Sequence, residues 1–98
     1  MPQQTQNQGQ GKRSKIDIII DILKVIREKS DKIKPTHLMY KSNLSHVQMK
    51  GYLNEMLQKG LISESFEKEK KQIIITQKGK TFLSQLLQMK EFQKTFGL

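Results

Sequence analysis

The chain has 98 residues, enough for one domain with a single core. Its 18 lysines and arginines outnumber its 9 aspartates and glutamates, and the resulting net charge of +9 favours an anionic partner, nucleic acid before a membrane surface. The absence of cysteine excludes disulfides and thiolate chemistry, and no membrane-spanning run or apolar signal segment is visible, so we expect a cytoplasmic protein.

The chain begins with a glutamine-rich segment. Residues 1–11 contain only two apolar side chains, too few to offset the entropy cost of ordering the backbone. We therefore predict a disordered basic arm over residues 1–13. Lys12, Arg13 and Lys15 could neutralise phosphates or follow a minor groove, although such a tail could equally serve only solubility.

The next segment predicts a helix over residues 15–29. Ser14 and Asp17 are spaced like a capping box at its start. A strand is the alternative, because β-branched isoleucines dominate the run DIIIDIL. The spacing of Asp17, Asp21 and Lys24 on one face favours the helix. Its predicted buried stripe consists of Ile16, Ile19, Ile20, Leu23 and Ile26.

A helix-turn-helix follows. A very short strand at residues 33–34 precedes a helix over residues 35–41, whose first turn suits Pro35. Ser42 and Asn43 break that helix, and the chain returns to the core before a second helix begins. Two short helices joined by so tight a turn are typical of proteins that bind DNA.

The second of these helices is the candidate recognition helix. Ser45 and Gln48 match a Ser-x-x-Gln capping box for a helix over residues 45–59, which Gly60 ends. Such helices read bases in the major groove, where lysine donates to guanine, asparagine pairs with adenine and small apolar groups meet thymine methyls. Any surface helix would also present polar side chains. The candidate DNA contacts here are Lys41, Ser42, Ser45, His46, Val47, Gln48, Lys50 and Asn54.

A hairpin with a lysine-rich tip is the candidate wing. Strands at residues 61–66 and 72–75 flank a charged turn at residues 67–71. Lysines at the tip could straddle phosphates or enter a minor groove. Residues 61–75 carry three lysines and three glutamates, so the hairpin adds no net charge and its tip could equally be only solvated. The candidate contacts are Lys68, Lys70 and Lys71.

Thr76 caps a last helix predicted over residues 77–93. Its apolar residues recur at spacings of four and three, with one polar interruption, as in a heptad seam. The part beyond Leu87 overhangs so small a core, so we predict that residues 77–98 form an antiparallel dimerisation helix. Folding back onto its own domain is the alternative. The predicted seam is Phe82, Leu86, Met89, Gln93 and Phe96.

Nothing in the sequence predicts an enzyme. The only two histidines, His37 and His46, lack an organised carboxylate set, so no metal site is expected. Asp17 and Asp21 lie one helical turn apart beside a lysine, which is typical of a solvated surface pair. There is no glycine-rich phosphate loop. We therefore predict no cofactor and no small-molecule substrate.

Residues 34–45, KPTHLMYKSNLS, resemble the pattern PT-x-[IL]-M-Y-K-[AS]-N-L-S of a small family of archaeal winged helix-turn-helix proteins. The likeness extends over residues 14–87, including YL at 52–53, KGLI at 59–62 and ITQKGKTFL at 75–83. It implies a winged helix that binds double-stranded DNA, with a C-terminal coiled coil that joins a homodimer. Relatives include transcriptional regulators and chromatin-like architectural proteins. Two positions that are often basic in that family are not basic in this chain, where they are Val47 and Gly51.

The expected architecture is mainly α with a small β-hairpin: a winged-helix DNA-binding domain over residues 14–76, followed by the C-terminal helix. The expected function is that of a dimeric, nucleoid-associated transcriptional regulator. Two alternatives remain open. One is a sequence-nonspecific architectural DNA-binding protein. The other is a winged helix used for protein–protein interaction, which the neutral hairpin and positions 47 and 51 keep open.

Overall fold

The computed structural model describes residues 13–98 as four helices and a three-stranded antiparallel sheet of order β1-β3-β2. The mainly helical class is confirmed, and the predicted short strand pairs with the hairpin to make the sheet three-stranded. The predicted arm as far as Lys12 lies outside the described residues. In chain order the elements are α1 (Lys15–Glu28), β1 (Lys32–Ile33), α2 (Pro35–Ser42), α3 (His46–Gln58), β2 (Ile62–Glu67), β3 (Lys70–Ile75) and α4 (Gln77–Thr95).

Local signals in the sequence determine where the helices begin and end. The Ser14 side chain accepts from the Asp17 backbone amide, and the Asp17 carboxylate accepts from the Ser14 amide, so a capping box begins α1. Thr76 caps α4 by accepting from the Gly79 amide. Gly60, with φ of +75°, ends α3 in the left-handed conformation that glycine adopts without steric cost.

The core is built around α1, which packs against α2, α4, β1 and β3. This surrounding explains why more of α1 is buried than the predicted stripe: Ile18 and Ile22 are buried as well. The first half of α4 closes the core with Leu83 and Leu86. The remaining buried apolar residues are Ile33, Leu38, Leu44, Met49, Met56, Leu61, Ile62, Ile73 and Ile75.

The hairpin is longer than predicted. Its turn contains only Lys68 and Glu69, and the pairing of β2 with β3 extends out to Glu67 opposite Lys70. The five-residue turn inferred from the charge run is therefore wrong, because residues of opposite charge can pair across antiparallel strands as well as line a loop. The sheet consequently projects further from the core.

Candidate nucleic-acid interface

Helix α3 presents its N-terminal half to solvent. Met49 and Met56 anchor it in the core, while Val47 is 80% exposed. The capping box joins the Ser45 hydroxyl to the Gln48 amide at 3.1 Å and the Gln48 side-chain oxygen to the Ser45 amide at 2.9 Å. Gln48 still has its side-chain NH₂ to donate outward. The predicted recognition residues exposed on this helix are His46, Val47, Gln48, Lys50 and Asn54.

The turn before α3 is held by Arg13. Its guanidinium donates to the backbone oxygens of Ser42 and Asn43, at 2.9 and 3.0 Å, and to the Asp21 carboxylate at 2.9 Å. Asn43 takes a left-handed φ of 56° between the two helices. Placing Arg13 in a disordered arm that contacts DNA is therefore corrected: its donors hold the helix-turn-helix against α1.

Ser42 is a second correction. Although the turn composition suggested an exposed DNA contact, this residue is only 2% exposed, and its hydroxyl has no hydrogen-bond partner within residues 13–98. Ser42 is buried because Arg13 crosses the turn beside it and Leu44, two residues later, packs into the core. Lys41 is exposed beside it and forms no salt bridge within the described residues.

An open cleft separates α3 from the hairpin. Met39, Leu53 and Leu57 contribute to its apolar wall, and polar groups from both sides reach it. From the hairpin, Lys71 pairs with Glu64 at 3.2 Å. The cleft therefore brings the recognition face and one hairpin lysine together, although that lysine's charge is balanced locally. The polar side chains lining the cleft are Thr36, His46, Lys50, Asn54, Glu64 and Lys71.

The other face of the hairpin is more basic than its own sequence suggests. Glu67 pairs with Lys32 of β1 at 2.6 Å. A shallow cleft then groups Lys34 with Lys68 and Lys70, and within residues 13–98 none of these three forms a salt bridge. The sequence did not indicate Lys34, because only the pairing of β1 with β3 places it beside the hairpin.

Lys15 lies on the opposite flank of α3, in a shallow depression shared with Val47 and Gly51. Its ammonium group contacts the Glu55 carboxylate at 2.7 Å. This hydrogen bond, supported by Lys59, holds the pKa of Glu55 below its usual value. Lys15, predicted as a DNA contact of the basic arm, therefore lies beside α3, and part of its charge is offset by that helix.

Comparisons with known proteins identify this arrangement. A family model described as winged helix-turn-helix matches residues 12–94. The chain belongs to the winged helix-turn-helix family. A comparison with curated proteins gives no match. In this winged helix, α2 and α3 form the helix-turn-helix, and the β2–β3 hairpin is the wing.

Solved structures show the same fold. Sso10a-2, a DNA-binding protein from Sulfolobus solfataricus, is similar with a TM-score of 0.74 and 24% identity over 86% of this chain and 85% of that chain. A winged-helix DNA-binding protein from STIV is similar with a TM-score of 0.70 and 19% identity, over 86% of this chain and 95% of that chain. A MarR family transcriptional regulator from Silicibacter pomeroyi has a TM-score of 0.66 and 16% identity, over 82% of this chain and 56% of that chain.

The end of the winged helix's α4 carries exposed aromatic residues. Phe92 and Phe96 are 60% and 65% exposed, and their ring centroids are 4.8 Å apart. Part of the predicted seam points elsewhere: Leu86 is buried in its own domain, and Phe82 is packed against that core. The seam is corrected accordingly, because one helix face cannot serve the core and a partner at once. Met89, Gln93 and Phe96 remain outside the core, and Phe92 joins them.

Between Arg13 and Leu98, no helix has both the length and the apolar character needed to cross a lipid bilayer. The same part of the chain contains no group of three or more histidine, aspartate and glutamate side chains arranged to hold a metal ion.

Proposed function

We propose that this winged helix binds double-stranded DNA as a homodimer and acts as a transcriptional regulator. The observation that carries the proposal is the exposed face of α3, where Lys50 and Asn54 line a cleft beside the wing. Family membership and the likeness to DNA-binding winged helices support it. The predicted setting is the cytoplasm, in association with the nucleoid.

In the proposed complex, α3 enters the major groove. Lys50 donates to guanine, Asn54 pairs with adenine, and the Val47 methyl groups meet thymine methyls. Ser45, His46 and Gln48 lie at the N-terminal end of the helix, where their remaining donors reach base edges or the sugar-phosphate backbone.

Phosphate contacts come from lysines around this helix. Lys41 reaches the backbone beside the turn, and the wing adds Lys68, Lys70 and, once its pair with Glu64 opens, Lys71. Lys34 joins them from β1. Of the predicted arm, Lys12 remains a proposed phosphate contact, and Lys15 contributes from the flank of α3.

The proposed dimer places the exposed end of α4 against the same surface of a second copy. A paired aromatic surface of this kind suits a two-fold interface, in which each subunit contributes the same patch. The proposed role is binding rather than catalysis, with no cofactor, metal or small-molecule substrate and no membrane partner.

An architectural role is a second candidate, favoured by a specific observation. Lys34, Lys41, Lys68 and Lys70 form no salt bridge in residues 13–98 and lie at the turn or the wing, where they suit phosphates, while Val47 and Gly51 occupy the recognition face itself. Selecting bound sites from random duplex DNA separates the two roles. A sharp consensus supports a regulator; the absence of any consensus supports architectural binding.

A pair of lysine variants tests DNA binding by α3. Lys50→Ala removes the proposed base contact, worth about 1–3 kcal/mol, and should weaken the Kd for duplex DNA roughly 5- to 150-fold. Lys78→Ala is the matched control: it removes the same charge beside Gly60, at the opposite end of α3. A gel shift measures both. Equal binding by the two variants would contradict the recognition-helix assignment.

A further inference from the structure

Phe66 lies where the wing extends beyond the core. Along β2, Ile62, Glu64 and Phe66 share the face turned toward the core, because side chains alternate along a strand. Ile62 is buried at the base, whereas Phe66 is 61% exposed near the tip. It stands directly opposite Lys71, whose side chain lines the cleft beside α3. An aromatic ring therefore lies on the recognition-helix side of the wing tip.

The surroundings of Phe66 are charged rather than apolar, and on balance they are cationic. Lys71 pairs with Glu64 and Lys32 with Glu67, which leaves Lys68 and Lys70 against Glu69. Lys68 lies in the two-residue turn and Lys70 begins β3, both within four residues of Phe66, and neither forms a salt bridge within residues 13–98. A docking site for another protein usually groups several apolar side chains and keeps charge out of its centre. Phe66 is not part of the aromatic pair formed by Phe92 and Phe96. A single ring among lysines suits a polyanion that also offers an apolar surface.

We propose that Phe66 is an aromatic DNA contact of the wing, packing its ring into the minor groove next to the major-groove site of α3. The inference rests on the DNA-binding function proposed above and assigns a role that the lysines cannot fill. Minor grooves accept apolar wedges such as phenylalanine and leucine, which pack between base steps. The flanking lysines reach the phosphates at the groove's rims.

The reach of the wing fits this placement. Each wing strand has six residues, or roughly 20 Å of extended chain. Adjacent major and minor grooves are separated by about half of a helical turn of roughly 34 Å. With α3 in the major groove, a wing of this length brings its tip to the neighbouring minor groove. Phe66, one residue before the last paired position of β2, is then at the right depth.

Three full-length variants test the contact on a short mixed-sequence duplex at low salt. Phe66→Ala removes the ring and should weaken the Kd roughly tenfold, the order expected when an aromatic side chain loses its burial. Phe66→Leu keeps an apolar wedge and should recover most of the affinity. Ser65→Ala, on the opposite face of the same strand, is the matched control and should bind as the parent does. Thermal unfolding verifies that all three are folded.

A competing minor-groove ligand that occupies A·T tracts makes the assignment specific. It should weaken the parent, Phe66→Leu and Ser65→Ala, and have much less effect on Phe66→Ala. Equal affinity of Phe66→Ala and the parent, with equal sensitivity to the competitor, would overturn the proposed contact while leaving DNA binding intact, and Phe66 would then serve a protein partner. Failure of the parent itself to bind any duplex would overturn the proposed function and this inference together.

Discussion

At the scale of single residues, two helical glycines have opposite surroundings. A Cβ added at Gly79 would lie 2.1 Å from the Leu61 carbonyl oxygen and 2.9 Å from an Ile75 side-chain carbon, because the start of α4 packs directly on the base of the wing. A Cβ at Gly51, on the exposed side of α3, meets nothing within 4 Å. The first glycine is required by close packing, and the second only lowers the intrinsic stability of its helix.

The same substitution should therefore have opposite effects at the two positions. Gly51→Ala should raise the free energy of unfolding by about 1 kcal/mol, the helix propensity difference. Gly79→Ala should lower it by about 1–3 kcal/mol or more, because the backbone of Leu61 must move. Urea denaturation of the two variants checks both values. A neutral Gly79→Ala would show that the contact between α4 and the wing is looser than described.

Residue-scale details of the site were the hardest to predict from sequence. Ser42 is polar and adjoins a turn, so composition suggested an exposed residue, yet Arg13, 29 positions earlier, crosses the turn and closes it. Lys15 was predicted near DNA but is balanced by Glu55. Such pairings depend on which distant elements meet, and neither composition nor periodicity records that.

At the scale of elements, the wing has an unusual turn. Lys68 and Glu69 both have positive φ, 51° and 66°, as in a two-residue type I′ turn. This conformation costs residues with a Cβ roughly 1–2 kcal/mol each relative to glycine, and asparagine and glycine are the preferred pair. The wing therefore holds a strained connection that its paired strands stabilise.

Replacing that turn by Asn-Gly should relieve the strain. The double variant Lys68→Asn/Glu69→Gly leaves the net charge unchanged and should raise the free energy of unfolding by about 1–2 kcal/mol. Lys70→Gly is the control one position further on, inside β3, and should be destabilising. Thermal melting of the three proteins tests the assignment. A destabilised double variant would contradict the two-residue turn.

We expect the contact between α1 and the end of α4 to depend on pH. The Lys90 ammonium group lies 2.8 Å from the Asp17 carboxylate and, as the main cause, lowers the pKa of that carboxyl below its usual value of 3.8. A lowered folded-state pKa stabilises the protein above the unfolded value, and this contribution is lost as pH falls through the folded-state pKa. Acid should therefore loosen the end of α4 below about pH 3.8.

Lys90→Met should return the Asp17 pKa toward 3.8 and weaken the acid dependence of unfolding. A titration of the carboxyl carbons by NMR measures the pKa directly. Lys94→Met is the control: it lies one turn further along α4 and forms no salt bridge in residues 13–98. An Asp17 pKa that is unchanged by Lys90→Met would mean that the pair does not form in solution.

The elements themselves were largely readable from sequence, because their limits depend on local chemistry. Ser45 with Gln48, Gly60 and Thr76 mark boundaries that the structure reproduces to within a residue or two. The short strand β1 was predicted one residue later than the structure places it, and the wing turn was predicted with five residues where the structure has two. Both errors come from strand pairing, which the hydrophobic pattern of one strand does not determine.

At the scale of the whole molecule, the exposed end of α4 predicts dimerisation. The double variant Phe92→Ser/Phe96→Ser should sediment as a monomer at concentrations where the parent is a dimer, because it removes the paired rings. Tyr40→Ser is the control, since Tyr40 is 76% exposed on α2 and belongs to neither the core nor this patch. A dimeric double variant would place the interface on another surface.

We propose that lysines of the turn and wing bind the phosphates of duplex DNA. The most direct measurement is the Kd for a duplex as a function of salt concentration. Lys34, Lys41, Lys68 and Lys70 carry no salt bridge in the described residues, and each neutralised phosphate contributes about −0.9 to the slope of log K against log salt, so we predict roughly −3 to −4 per protomer. A slope near zero would contradict phosphate binding by these lysines and favour a protein partner.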